Sequence, residues 1–148
     1  PNQDDRPMAI WTHALSPEQL NALSRNTIGE HLGMEIIEVG DDFVRGRMPV
    51  DKRTHQPYGL LHGGASVVLA ESLGSIGAGM VVGGSGAVVG IEINANHLRG
   101  VRAGWVTGTA RPLHLGRSTQ VWEIRIENDE GALMCISRLT MAVVAKVP

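Results

Sequence analysis

Apolar and polar positions alternate along the second half of this chain, and one nearly unbroken apolar stretch stands in its middle. From Ala87 to His97 (Ala-Val-Val-Gly-Ile-Glu-Ile-Asn-Ala-Asn-His) apolar residues alternate with polar or small ones, the period of a strand with one buried face. Gly104 to Ala110, Thr119 to Glu127 and Leu133 to Val144 read the same way, with Asn128-Asp129-Glu130-Gly131 as a hairpin connection between the last two. Upstream, His31 to Val50 is predicted extended, with a turn at Gly40-Asp41-Asp42 and Met34, Ile36, Val44, Gly46 and Met48 in period two. Ser16-Pro17-Glu18 places an N-cap, a first-turn proline and an acid in order, predicting a helix that ends near Arg25 or Asn26.

The apolar stretch runs from Gly63 to Met80. It predicts a helix of about 26 Å at 1.5 Å per residue. It is apolar nearly all round, so it is expected to be buried on every side. Gly74, Gly77 and Gly79 would weaken a solvated helix and suit one that another backbone approaches closely. The order of helix, hairpin, long helix and four consecutive strands predicts an α+β domain, a curved antiparallel sheet wrapped around the apolar helix.

Composition narrows the function. The 148 residues suit one domain, with residues 16–148 as its body and residues 1–15 as a flexible, polar extension. A net charge of -2 and 3% aromatic residues argue against nucleic acid as a partner. The apolar stretch is interrupted by polar groups, so a membrane span is not expected. One cysteine, Cys135, allows no internal disulfide, and a reducing, cytoplasmic setting is expected. Its apolar neighbours mark it as a core residue rather than a nucleophile. The six histidines lack metal-ligand spacing, and Gly83-Gly84-Ser85-Gly86 follows a helix and precedes a strand, the wrong order for a dinucleotide cradle.

The candidate chemistry gathers around the start of the apolar helix. Glu71 is a carboxylate inside it, costly there unless paired, hydrated or used, and Ser75 lies one turn on along the same face. A structural carboxylate and a base or nucleophile are both open readings. His62-Gly63-Gly64 stands at the helix start, where free amides point outward, so Gly63 N–H is a candidate oxyanion donor. Gln56 and His62 flank that turn and can hold a carbonyl or a water, and His97 ends an alternating strand. Between Glu92 and Glu123 there is no acid, while Arg99, Arg102, Arg111, Arg117, His97 and His114 all occur. Such a local basic zone suits an anionic ligand such as a phosphate-bearing tail.

The stretch from Gln56 to Ser75, together with Val88 to His97 and Arg111-Pro112-Leu113-His114-Leu115-Gly116, resembles the hotdog-fold acyl-CoA thioesterases. The likeness is to their bacterial group of 1,4-dihydroxy-2-naphthoyl-CoA and enterobactin-proofreading thioesterases. It rests on H-G-G-A-S-V-V-L-A-E combined with E-I-N-A-N-H and extends from about Leu32 to Val144. It implies a hotdog fold and hydrolysis of acyl-CoA, with an aromatic or medium-chain acyl group, or of a thioester on an acyl or aryl carrier protein. No cofactor is implied, since CoA belongs to the substrate. It also implies homodimers that assemble into homotetramers, with active sites built from two chains. By this resemblance Glu71 matches the catalytic carboxylate, Gly63 the oxyanion donor, and Gln56, His62 and Ser75 groups that orient substrate and water. His97 matches a pocket histidine. Arg99 and the turn of His114, Gly116 and Arg117 match the place of the CoA nucleotide. Tyr58 stands in the pocket where relatives are expected to carry Phe. Two other classes stay open: an enoyl-thioester hydratase or dehydratase on the same fold, and a non-catalytic acyl-CoA-binding module.

Overall fold

The computed structural model describes residues 9–148. Two short helices come first, α1 (Pro17–Leu23) and α2 (Ile28–His31), then strands β1 (Glu35–Val39) and β2 (Val44–Pro49). The long helix α3 (Gly63–Val82) follows, and then β3 (Ala87–His97), β4 (Trp105–Leu115), β5 (Thr119–Glu127) and β6 (Leu133–Val144). The six strands form one antiparallel sheet in the order β1-β2-β4-β5-β6-β3, so β1 and β3 are its edges. This is the expected α+β hotdog arrangement, with α3 packed across β2 to β6 of the sheet.

Interlocking glycines set the helix-to-sheet distance. Leu73 is fully buried between Gly46 and Gly108, which face each other across β2 and β4; a Cβ at either would come within 2.7 Å of a Leu73 methyl. In return, a Cβ at Gly74 would lie 2.6 Å from Leu139, and one at Gly77 2.6 Å from the Trp122 ring. Side chain fills the space left by glycine in both directions, which is how an interior reaches crystal-like density.

Four expectations need correction. First, α3 is not buried on every side: Val68, Glu71, Ser72, Ser75, Ile76 and Gly79, at helical spacing, form a half-buried stripe. Second, residues 28–31 form helix α2, so the extended region starts only at Glu35. Third, β4 continues past Ala110 to Leu115. Beyond Ala110 it no longer pairs with β2, and Pro112, which lacks an N–H, is tolerated on that one-sided stretch beside a register shift between Pro112 and His114.

Fourth, the expected flexible extension of residues 1–15 does not describe residues 9–15, which are docked; residues 1–8 lie outside the described residues. The Thr12 and His13 amides both donate to Met80 O, at 3.0 and 3.1 Å, and Thr12 Oγ1 donates to Val81 O at 2.6 Å. Gly83 N–H takes Gly79 O, and Ser85 Oγ takes Val82 O. The last four carbonyls of α3, which have no partner within a helix, are all satisfied, two of them from a segment some seventy residues away. Trp11 stacks on Trp122, with centroids 6.2 Å apart, and its Nε1 donates to Gly40 O.

Candidate active site

The loop before α3 is held rigidly. The Leu61 amide donates to Val101 O at 2.7 Å and the His62 amide to Thr54 O at 2.8 Å. The buried Thr54 hydroxyl donates to Pro49 O, and Arg102 Nη1 donates to Tyr58 O. Gly59, at φ +76°, closes the turn that starts at Gln56. Gln56 Oε1 accepts from the amides of Tyr58 and Leu60, which leaves its NH2 as the group free to donate outward.

Helix α3 then starts with one amide unused. His62 is its N-cap, and its Nδ1 accepts from Gly64 N–H at 2.8 Å. The Ala65 and Ser66 amides both donate to His62 O. Of the four first-turn donors only Gly63 N–H has no partner among the described residues. By accepting at Nδ1, His62 orders the helix start, and it is not among the residues that line the cleft beside Gly63.

That free amide opens on a cleft of about 350 Å³ whose lining includes Gln56, Leu60, Gly63, His97, Arg99 and Met134. His97 comes from the far end of β3, and its Nε2 would lie 2.8 Å from a Cβ at Gly63; the absent side chain is what lets the imidazole cover the helix start. Met134, at the base of β6, is a lining residue that motif reading did not single out.

The other candidates lie elsewhere in the chain. Glu71 is half-buried two turns into α3 and makes no ion pair or hydrogen bond among the described residues. Its carboxylate lies against β3, with Oε1 2.6 Å from where a Cβ at Gly90 would stand. Ser75 lines a second, mostly apolar cavity of about 290 Å³ with His13, Leu15, Leu20, Ile76 and Met80. Tyr58 is 82% exposed and outside the cleft. His114, Gly116 and Arg117 lie at the β4–β5 turn, beside Val143, which pairs with the start of β3. The cleft is at the other end of that strand, roughly 30 Å away at 3.3 Å per residue.

The basic zone is also divided. Arg111 is paired with Asp42 at 2.8 Å and Arg102 holds Tyr58 O, so of the four arginines only Arg99 lines the cleft. Cys135 is buried, and burial pushes its thiol pKa upward, as its core setting implied.

A single long helix packed against a six-stranded antiparallel sheet is the hotdog arrangement found in thioesterases. The chain belongs to the thioesterase superfamily, whose family model matches residues 58–135. It is 50% identical over 134 residues to the 1,4-dihydroxy-2-naphthoyl-CoA hydrolase of Escherichia coli, covering 90% of this chain and 98% of that one. It is 52% identical to the proofreading thioesterase EntH of Cronobacter turicensis, with the same coverage. Among solved structures, a thioesterase from Haemophilus influenzae superposes with a TM-score of 0.90 at 48% identity, over 92% of this chain and 95% of the other.

Proposed function

We propose that this thioesterase hydrolyses acyl-CoA thioesters with an aromatic acyl group, using Gly63 N–H as oxyanion donor and Glu71 as the reacting carboxylate. The observation that supports the reading is the first-turn amide of α3, Gly63 N–H, that has no partner among the described residues and opens to a cleft beside the Gln56 NH2 and His97. A thioester carbonyl placed there meets a fixed donor at the positive end of a 20-residue helix, where charge develops as the carbonyl is attacked.

Glu71 reacts from the opposite side. It either takes a proton from the water that adds to the carbonyl, or adds its own oxygen to give a mixed anhydride that water then opens. In both cases the C–S bond breaks, CoA leaves as thiolate and the acid is released. Gly63 and Glu71 are eight residues apart, about 12 Å along the helix axis. A reacting carbonyl needs its donor and its attacking atom each about 3 Å away. The two groups therefore act from different chains, across a homodimer formed by antiparallel pairing of the free β3 edges. Such pairing brings Glu71 of the partner subunit toward the cleft. It also reverses the partner's strand, turning the partner's His114–Arg117 turn toward Arg99, where both can hold the CoA phosphates. The apolar cavity beside Ser75 suits the acyl group, and the naphthoyl substrate in the name of the Escherichia coli relative supports an aromatic one. Association of two dimers into a homotetramer, and a carrier-protein thioester in place of CoA, are part of the same proposal.

The test is thiol release from benzoyl-, hydroxybenzoyl-, naphthoyl-, hexanoyl- and decanoyl-CoA and from an aryl carrier protein, for wild type and Glu71→Ala. The expected result is aryl preference and a loss of about 10²–10⁴ in kcat on removing the carboxylate. Unchanged release by Glu71→Ala overturns the assignment.

A further inference from the structure

Strand β3 is not regular. Gly90 pairs with Met141 and Glu92 with Thr140, so Ile91 is an extra residue with no counterpart on β6. A strand changes face at every residue, so one inserted residue reverses the alternation beyond it. Val88 packs on the core before the bulge, and Ile93 and Ala95 pack on it after the bulge. Val88 and Ile93 are five apart, an odd number that an unbroken strand would send to opposite faces. The same holds for the two positions that meet α3 around the candidate site. Gly90 faces Glu71 and His97 faces Gly63, seven residues apart. Without the extra residue, His97 would point away from the helix and Asn96 would take its place.

We propose that Gly90 is a positioning residue for Glu71, and that the bulge at Ile91 brings the Glu71 seat and His97 to the same face of β3. The proposal rests on Glu71 as the reacting carboxylate. Gly90 is not among the positive-φ glycines. An alanine there meets no backbone strain, only the 2.6 Å contact with Glu71 Oε1. That contact is too close to persist, so the carboxylate must swing off its seat, and a displacement of about 1 Å can cost on the order of 10² in rate.

The test is a cycle of Gly90→Ala and Glu71→Ala, with Glu71→Asp as a third variant. Gly90→Ala is expected to lose at least tenfold in kcat with KM within twofold of wild type. Its thermal midpoint is expected to fall in the wild-type background and to stay unchanged in the Glu71→Ala background, where no carboxylate is left to clash. Glu71→Asp, shorter by one methylene, is expected to cost activity in wild type and to restore part of it in Gly90→Ala. Wild-type kcat in Gly90→Ala overturns the proposal. So does an equal loss of stability in both backgrounds, including failure to fold in both. Full thiol release by Glu71→Ala would sink the catalytic reading instead, and the stability coupling between positions 71 and 90 would still report the seat.

Discussion

Replacing Gly63 by proline removes one N–H and little else that holds the fold. Position 63 is the first residue of α3, where proline is favoured because its missing donor has no helical partner. His62 precedes it at φ -67° and ψ 130°, the extended conformation that a residue before proline requires. Gly63 N–H bonds to nothing among the described residues, so no hydrogen bond of the fold is lost. Fixing φ restricts the unfolded chain and favours the native state by about 0.4–1 kcal/mol. The new ring carbon has a cost, since a Cβ at 63 lies 2.8 Å from His97 Nε2. Gly63→Ala carries the same Cβ and keeps the N–H, so the comparison of the two variants isolates the donor. Loss of one oxyanion donor costs about 10²–10³ in kcat, which is roughly 2.7–4 kcal/mol at 1.36 kcal/mol per tenfold. Saturating thiol-release kinetics on one aryl-CoA, with circular dichroism melts of both variants, measure this. If Gly63→Pro stays within threefold of Gly63→Ala, Gly63 N–H is not the donor.

Mixing inactive Gly63→Pro and Glu71→Ala subunits is expected to restore roughly a quarter of wild-type activity, because half of randomly paired two-fold dimers carry one intact site of two; no recovery places the site within one chain. Leu73→Ala is expected to cost about 4 kcal/mol at fixed protein concentration, near the top of the range for such truncations, because the backbones of Gly46 and Gly108 cannot collapse into the void; denaturant titration with a loss under 2 kcal/mol contradicts this. The buried Cys135, held protonated, is expected to react with a disulfide dye only after unfolding, which a burst of one thiol per native chain would disprove. The Arg53 guanidinium and amide lower the Asp51 carboxyl to about 2. Its contribution to stability is therefore present above the ordinary carboxylate range and is lost as pH falls toward 2; Arg53→Ala is expected to move the Asp51 NMR titration upward, and an unmoved titration denies the pairing.

Much of this fold can be read from periodicity. Leu69, Leu73 and Ala78 announce a core helix by their setting. Ile36, Val44, Gly46 and Met48 keep the period of two that the hairpin β1–β2 shows. The turn at Asn128–Gly131 follows from its residue types. What could not be read depends on partners distant in sequence. The segment of Thr12 and His13 docks because α3 ends with bare carbonyls at Met80 and Val81, and no local pattern announces that. Arg111 belongs to a basic cluster in the sequence but to Asp42 in space. The candidate site was legible as residue types but not as an arrangement. Gln56, Gly63, His97 and Arg99 meet, whereas Glu71 and Ser75 stand apart along the helix axis and His114 and Arg117 at the other end of β3. A lone glycine inside an alternating strand, Gly90, marks a bulge or a close approach, and here it marks both.

The place of β3 at the sheet edge has a consequence for how the protein is made. Its only neighbour among the described residues is β6, which is made after β4 and β5. At 5–20 residues per second, the sixty or so residues from Gly83 to Val144 take roughly 3–12 s to appear. At the start of that interval α3 is complete but lacks four of its six strands, and β3, once made, has no strand to pair with until β6 appears. The strand carrying Gly90 and His97 is thus among the last parts of the sheet to be secured. Conditions that slow translation after residue 97 should favour capture of the nascent chain by chaperones, through the same apolar helix that later anchors the finished fold.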